Sequence, residues 1–250
     1  QDLIYGAQRL ISPLDWTNVR RTFDGSKLSL SLGRHTIDAF LVQPVVVEDR
    51  EFNERNRDVT FGGIYDTINL PQLLPGGNTR LELYALGLWT RTGIDNDIYT
   101  LGTRFSSQPK PWDFDVELDY QFGTAGSADI SGFSVALEGG YTFANVAFTP
   151  RLFAGFDYAS GDRDPGSGTF RRFNQLFPLG HQYLGFIDVV GRQNIIDVHP
   201  GIEFTLLKDH PYARRLGLRI DYHLFWRAET ADGLFNAGGQ LLRPAGGSDS

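Results

Sequence analysis

Residues 113–122 read Asp-Phe-Asp-Val-Glu-Leu-Asp-Tyr-Gln-Phe, an unbroken alternation of acidic or amide side chains with apolar ones. Successive side chains of a β-strand point to opposite faces. Phe114, Val116, Leu118, Tyr120 and Phe122 therefore share one face, and Asp113, Asp115, Glu117, Asp119 and Gln121 the other. The pattern recurs over Phe133–Phe143, Phe148–Tyr158 and Leu216–Trp226. Shorter versions lie at Lys27–Leu32, Asp58–Thr67, Leu81–Trp89, Tyr99–Phe105 and Gly201–Leu206, and Thr36–Val47 follows it with an irregularity near Pro44. The period predicts an all-β chain of about eleven antiparallel strands and no amphipathic helix.

Several of these stretches reach the roughly 9–11 residues that a tilted membrane crossing needs, where strands of soluble proteins average about 5–6. Trp89, Tyr99, Trp112, Phe122, Phe143, Tyr158 and Trp226 fall near strand ends, the placement that the two interfaces of a bilayer favour. The connections add to this. Short links are expected at Gly33–His35, Ser106–Pro111, Ala144–Val146 and Lys208–Tyr212. Long ones are expected at Glu48–Asn56, Arg91–Asp97, Gly123–Ile130 and Ser160–Val198, with Ile68–Thr79 an exception on the short side. Short turns at one rim and long loops at the other are the arrangement of an up-and-down outer-membrane barrel.

Composition changes the picture in two places. The net charge is -7 and mean hydropathy is -0.25, which suits a barrel that turns the polar half of each strand inward and gives no support for nucleic-acid binding. Lys27, Lys110 and Lys208 are the only lysines, so arginine supplies nearly all the positive charge. Zero cysteines suit an exported chain. No run of apolar residues is long enough for a transmembrane helix.

With the oily face against lipid, the polar face lines a lumen. Its expected charges are Lys27, Asp58, Asp66, Glu82, Arg104, Asp113, Asp115, Glu117, Asp119, Glu138, Arg151, Asp157, Glu203, Arg215, Arg219, Asp221, His223 and Arg227. Arg104, Arg151 and Arg219 sit inside well-patterned strands and are the leading candidates for contacting an anionic solute, steadied by Glu117, Asp119 and Asp157. An arginine fork holds a carboxylate at two points, and several weak sites in a row permit passage where one tight site would trap. The competing reading is that these charges pair across the wall and only solvate it. Asp162 and Asp164, among glycines, are candidate Ca²⁺ ligands, but they lack a closing Glu and suit turn capping better. The five histidines show no His-x-x-x-His spacing, and no other metal or cofactor is expected.

The 160–198 stretch carries a more specific signal. Gly161-Asp162-Arg163-Asp164-Pro165-Gly166 is followed by Phe173-Asn174-Gln175-Leu176-Phe177-Pro178-Leu179-Gly180-His181 and by Val190-Gly191-Arg192-Gln193-Asn194-Ile195. Tyr5-Gly6-Ala7-Gln8-Arg9-Leu10, Asp15-Trp16-Thr17-Asn18 and Trp226-Arg227-Ala228-Glu229-Thr230 extend it. Taken together these resemble the alginate export family of Gram-negative outer-membrane proteins. The resemblance implies a monomeric eighteen-stranded barrel among outer-membrane lipid and lipopolysaccharide that conducts an anionic polysaccharide or a smaller anion. It implies an extracellular position for the 160–198 loop. About eleven strands fall short of that number, so the chain is expected to be an internal segment lacking strands at both ends.

Two other classes remain open. A lipase-type barrel enzyme would need a Ser–His pair on the lipid face, whereas His223 falls on the polar face and no Gly-x-Ser-x-Gly occurs. A soluble β-sandwich or lectin would need shorter strands and unsorted loops.

Overall fold

The computed structural model describes residues 1–250 apart from 49, 72–76, 211–212 and 248–250. In chain order the strands are β1 (Phe23–Leu32), β2 (His35–Val46), β3 (Glu54–Arg55), β4 (Val59–Leu70), β5 (Thr79–Thr90), β6 (Asn96–Ser107), β7 (Trp112–Ala125), β8 (Ala128–Thr142), β9 (Arg151–Ala159), β10 (Thr169–Phe170), β11 (Ile195–His210), β12 (Ala213–Asp221), β13 (Leu224–Trp226), β14 (Leu234–Phe235) and β15 (Leu241–Arg243); one helical turn, α1, spans Gly180–Tyr183. The wall of the molecule is a meander in the order β1-β2-β4-β5-β6-β7-β8-β9-β11-β12, with each neighbouring pair antiparallel. Among the described residues the outer edges of β1 and β12 are unpaired, so the sheet curves without closing. No described helix is long and apolar enough to cross a membrane, which leaves crossing by strands untouched.

The predicted alternation sorts the two faces. Leu28, Leu41, Ile64, Leu101, Leu118 and Ile220 are exposed on the outer face, while their sequence neighbours of opposite parity turn inward. Aromatic rings gather at both ends of that outer face. Tyr99 packs with both Trp89 and Phe122 at one end, and Tyr141 with both Trp112 and Phe143 at the other. Trp112 and Phe122 lie on the same face of β7, ten positions apart. At about 3.3 Å per residue that is about 33 Å of strand. A tilt of about 40° leaves about 25 Å along the normal, the height of a barrel's apolar band.

The expected elements hold, with corrections to where several strands and loops begin and end. Gly123–Ile130 is not a long loop: β7 continues to Ala125 and β8 starts at Ala128. Gly126, at φ +60, opens the turn between them, as a two-residue hairpin with primed geometry requires. Gly123 sits within the strand because a Cβ there would lie 1.9 Å from the Asp97 carbonyl oxygen. Secondly, the Phe148 strand begins only at Arg151, since Phe148 and Thr149 hold φ of +63 and +41. Thirdly, the short strand at Gly201–Leu206 is the middle of β11, which starts at Ile195, so the long loop expected at 160–198 ends at 194.

Lastly, loop sorting is weaker than expected, because the 143–150 link between β8 and β9 is longer than the Gly126-Ser127 turn at the opposite rim. The Pro75-Gly76 part of the Ile68–Thr79 link and the tip of the Lys208–Tyr212 link lie outside the described residues.

The predicted Leu216–Trp226 strand is interrupted once. Val198 pairs with Leu224 and Gly201 with Asp221, one continuous register on β11. Between them the Tyr222 amide donates to the Pro200 carbonyl at 3.0 Å. Proline has no N–H to return that bond, so β12 and β13 are one strand with a gap at 222–223.

The concave face is not empty. Residues 1–22 run across it, anchored where the Phe23 amide donates to the Gln1 carbonyl at 2.9 Å. The 160–194 segment meets them there, with Ile11 bridged to Phe177 and β10 parallel to β8. Leu3, Tyr5, Leu10, Ile11 and Phe173 from these segments, with Phe23, Phe40, Phe61 and Tyr65 from the wall, form one buried apolar cluster. Phe177 packs edge-on against Phe23 and Phe61 at 5.1 and 5.0 Å.

Candidate functional site: a charged concave wall

Period-two alternation puts one charged or polar side chain inward every second residue, and the register stacks these positions side by side. Glu82 on β5 stands opposite Arg104 on β6, Arg104 opposite Glu117 on β7, and Arg151 on β9 opposite Glu203 on β11. The result is a chain of shared ion pairs across the sheet. Arg104 donates to Glu82 at 2.9 Å and holds Asp115 through Nε at 3.0 Å. Arg151 Nε donates to Asp113 at 2.8 Å, its Nη2 to Glu138 at 2.8 Å and its Nη1 to Glu203 at 3.3 Å. Arg219 donates to Glu203 at 2.8 Å and to Asp221 at 2.9 Å. Both guanidiniums lie over the Phe153 ring, at 4.9 and 4.3 Å from its centre.

The expected cations are thus on the concave wall, but with other partners than those expected. Glu117 accepts from Arg9 at 2.8 Å and from Tyr84 at 3.0 Å. Asp119 accepts from Tyr84 at 2.7 Å and Ser134 at 2.8 Å. Asp157 pairs with Arg192. The carboxylates chosen for Arg104, Arg151 and Arg219 therefore serve the interior segments and the hydroxyl groups, and the arginines use Glu82, Asp113, Asp115, Glu138, Glu203 and Asp221 instead. The cause is depth. Glu117, Asp119 and Asp157 are 3–7% exposed, beneath the 1–22 and 160–194 segments, whereas the arginines line the open end. Arg215 is exposed on β12, opposite Lys208, and makes no ion pair among the described residues. Asp66 shares the parity of the exposed Ile64 and pairs with His35 at 2.7 Å, so it belongs to the outer face and not the lumen.

Arg9 is the contribution that sequence reading missed. It is 6% exposed, reaches Asp115 at 2.7 Å and Glu117 at 2.8 Å, and stacks 4.6 Å from the Tyr183 ring centre. Burial opposes its charge, but Glu117 and Asp115 outweigh that and hold its pKa well above the ordinary value. Burial also pushes the Tyr183 phenol up, and that hydroxyl donates to the Ala7 carbonyl. The 160–194 segment is held through Arg172, which grips Asp232 at 2.8 Å, and through Asp232, which accepts from the Asp162 amide at 2.9 Å. Asp162 Oδ1 in turn accepts from the Asp164 amide at 3.3 Å, two residues on, the geometry of an Asx turn.

Below the interior segments lies a cavity of about 1330 Å³ whose wall includes Arg80, Arg104, Lys110, Asp113, Asp115, Glu138, Arg151, Glu203 and Lys208. Arg80, Lys110 and Lys208 make no ion pair among the described residues, while each acid in the cavity does.

His223 lies on the inward face as expected, but in company that spacing did not reveal. Its Nδ1 is 2.8 Å from Asp197 Oδ2, and His199 Nδ1 is 2.9 Å from the same oxygen. The signal available in the sequence was Asp197-x-His199, which on a strand shares one face; a search for helical spacing passes over it.

A curved antiparallel wall, apolar outside between two aromatic belts and charged inside, has the architecture of an outer-membrane β-barrel protein. A family model described as alginate export matches residues 1–250, the whole chain, and the chain belongs to that family. It is an outer-membrane transport family. No curated protein matches the chain.

Proposed function

We propose that this chain forms the wall of a passive outer-membrane channel for an anionic solute, an acidic polysaccharide such as alginate being the favoured class. The observation that supports this most directly is the balance of charge in the cavity. Asp113, Asp115, Glu138 and Glu203 are each held by an arginine, so the acidic stretch of β7 does not repel an anion. Arg80, Lys110 and Lys208 stay uncompensated at the open end, and Arg215 beside them. In this reading Arg104, Arg151 and Arg219 form a pre-set rail, and the unpaired cations draw carboxylates toward it. Asp221 and His223 complete the far end of that wall. The 160–194 segment and residues 1–22 narrow the lumen at the extracellular side, and strands pairing with the free edges of β1 and β12 complete a monomeric barrel in lipid and lipopolysaccharide. No step of this function requires catalysis.

The test is conductance of the closed barrel, this wall with both edges paired, in planar bilayers under a salt gradient. Arg215→Glu and Arg151→Glu should each shift the reversal potential toward cations, most at low salt, where the Debye length exceeds the roughly 8 Å of physiological ionic strength. Leu152→Ala, on the lipid face, should not. Oligouronates added to one side should reduce the current in the wild type and less so in Arg215→Glu. Unchanged reversal potentials in both arginine variants would assign these side chains to wall pairing alone.

A further inference from the structure

The Asp197, His199 and His223 group lies beyond the three arginines of the rail, and its geometry is that of a chelate. Asp197 and His199 alternate on β11 and so project from one face. The register that pairs Val198 with Leu224 and Gly201 with Asp221 sets His199 opposite His223. Their ring centres are 5.0 Å apart, and the Nδ1 atom of each lies within hydrogen-bonding distance of the same Asp197 oxygen. Asp197 has no exposed surface. Two imidazole nitrogens crowd its Oδ2, while its Oδ1 is buried with no partner and His223 Nε2 is likewise buried with none. Buried polar atoms are ordinarily satisfied; hydrogen bonding inside this cluster leaves two that are not. Further negative charge faces the group. Asp157 Oδ2 lies 3.8 Å from His199 Nδ1, and Asp221 Oδ2 lies 3.9 Å from His223 Nε2.

We propose that Asp197, His199 and His223 bind one divalent transition ion of the zinc type. Imidazole and carboxylate together suit zinc, copper or nickel, whereas magnesium and calcium take all-oxygen shells. Bonds of about 2.0–2.2 Å in a tetrahedron set ligand atoms roughly 3.3–3.6 Å apart. The observed 2.8 and 2.9 Å would widen by about 0.4–0.8 Å, within reach of side-chain rotation. Asp157, Asp221 or a water completes the shell. The ion cross-links β11 to the strand carrying His223 at the position where Pro200 leaves the ladder one hydrogen bond short. It acts as a staple in the wall, and it stands independently of which solute passes.

The experiment uses the full chain in detergent, stripped with a chelator and titrated calorimetrically with Zn²⁺. One ion per chain is expected. His199→Ala and His223→Ala should each weaken binding by at least about tenfold, since loss even of an outer partner costs about 10–100-fold. His35→Ala, on the outer face, should bind as the wild type does. X-ray absorption of the zinc-loaded wild type needs no variant and should show two imidazole nitrogens. Absence of saturable binding, wild-type affinity in both histidine variants, or an all-oxygen shell would each overturn the site.

Discussion

Leu118→Arg puts the membrane assignment of the outer face to a quantitative test. Leu118 is 43% exposed on the outer face of β7, paired with Val135 on β8. It stands six positions from Trp112 and four from Phe122. At about 3.3 Å per residue and a tilt of about 40°, these separations are about 15 Å and about 10 Å along the normal. Leu118 is then within about 3 Å of the middle of the band. A guanidinium at the midplane of a barrel costs about 2–4 kcal/mol, falling to about 0–1 kcal/mol near the interface. Thr124 lies on the same face of the same strand, beyond Phe122, and Thr124→Arg is the matched control. Folding equilibria in lipid vesicles, titrated with urea, should show Leu118→Arg less stable by about 30- to 700-fold, at 1.4 kcal/mol per tenfold. The control should move by less than about tenfold. Equal costs at the two positions, or less than about 1 kcal/mol at Leu118, would refute the placement of this face in lipid.

Two further outcomes follow from the interior and the turns. Arg9→Ala leaves the buried Glu117 carboxylate without its cation at a cost of about 3–5 kcal/mol; residues 1–22 should become sensitive to limited proteolysis and single-channel conductance should rise, and an unchanged digestion pattern would show that Arg9 does not hold the segment. Gly123→Ala drives a Cβ against the Asp97 carbonyl at φ +135 and should cost at least about 1–3 kcal/mol in the same urea titration, whereas Gly139→Ala on β8, where a Cβ meets nothing nearer than 3.8 Å, should cost less.

The wall was legible because alternation is local. Phe114 to Phe122 announces its own two faces, and a register that pairs sequence neighbours needs nothing beyond the hairpins. Misreadings fell where one residue type serves two ends. Gly123 reads as loop composition, yet it is in β7 because Asp97 approaches too closely for a side chain. Pro200 argues against a strand, yet β11 runs through it by giving up a single donor. The site was legible as a set of inward arginines but not as a network, because partners depend on depth and on what fills the concavity. Nothing in the local pattern of Tyr5–Leu10 says that Arg9 will reach β7.

That contrast between wall and interior sets the order of assembly. Every neighbour in the long sheet is also a neighbour among the long strands in sequence, so hairpins can form and add one at a time with little loop to close, except between β9 and β11, which the 160–194 segment separates. The interior joins residues far apart along the chain: Arg9 to Asp115 across 106 positions and Tyr183 to Ala7 across 176. Contacts of such separation form late. By sequence separation the wall is expected to form first, and the amino-terminal segment and the 160–194 segment to dock into it afterwards, each needing the other to complete its hydrogen bonds. A chain halted between these stages would already be anchored in the bilayer, but it would leak.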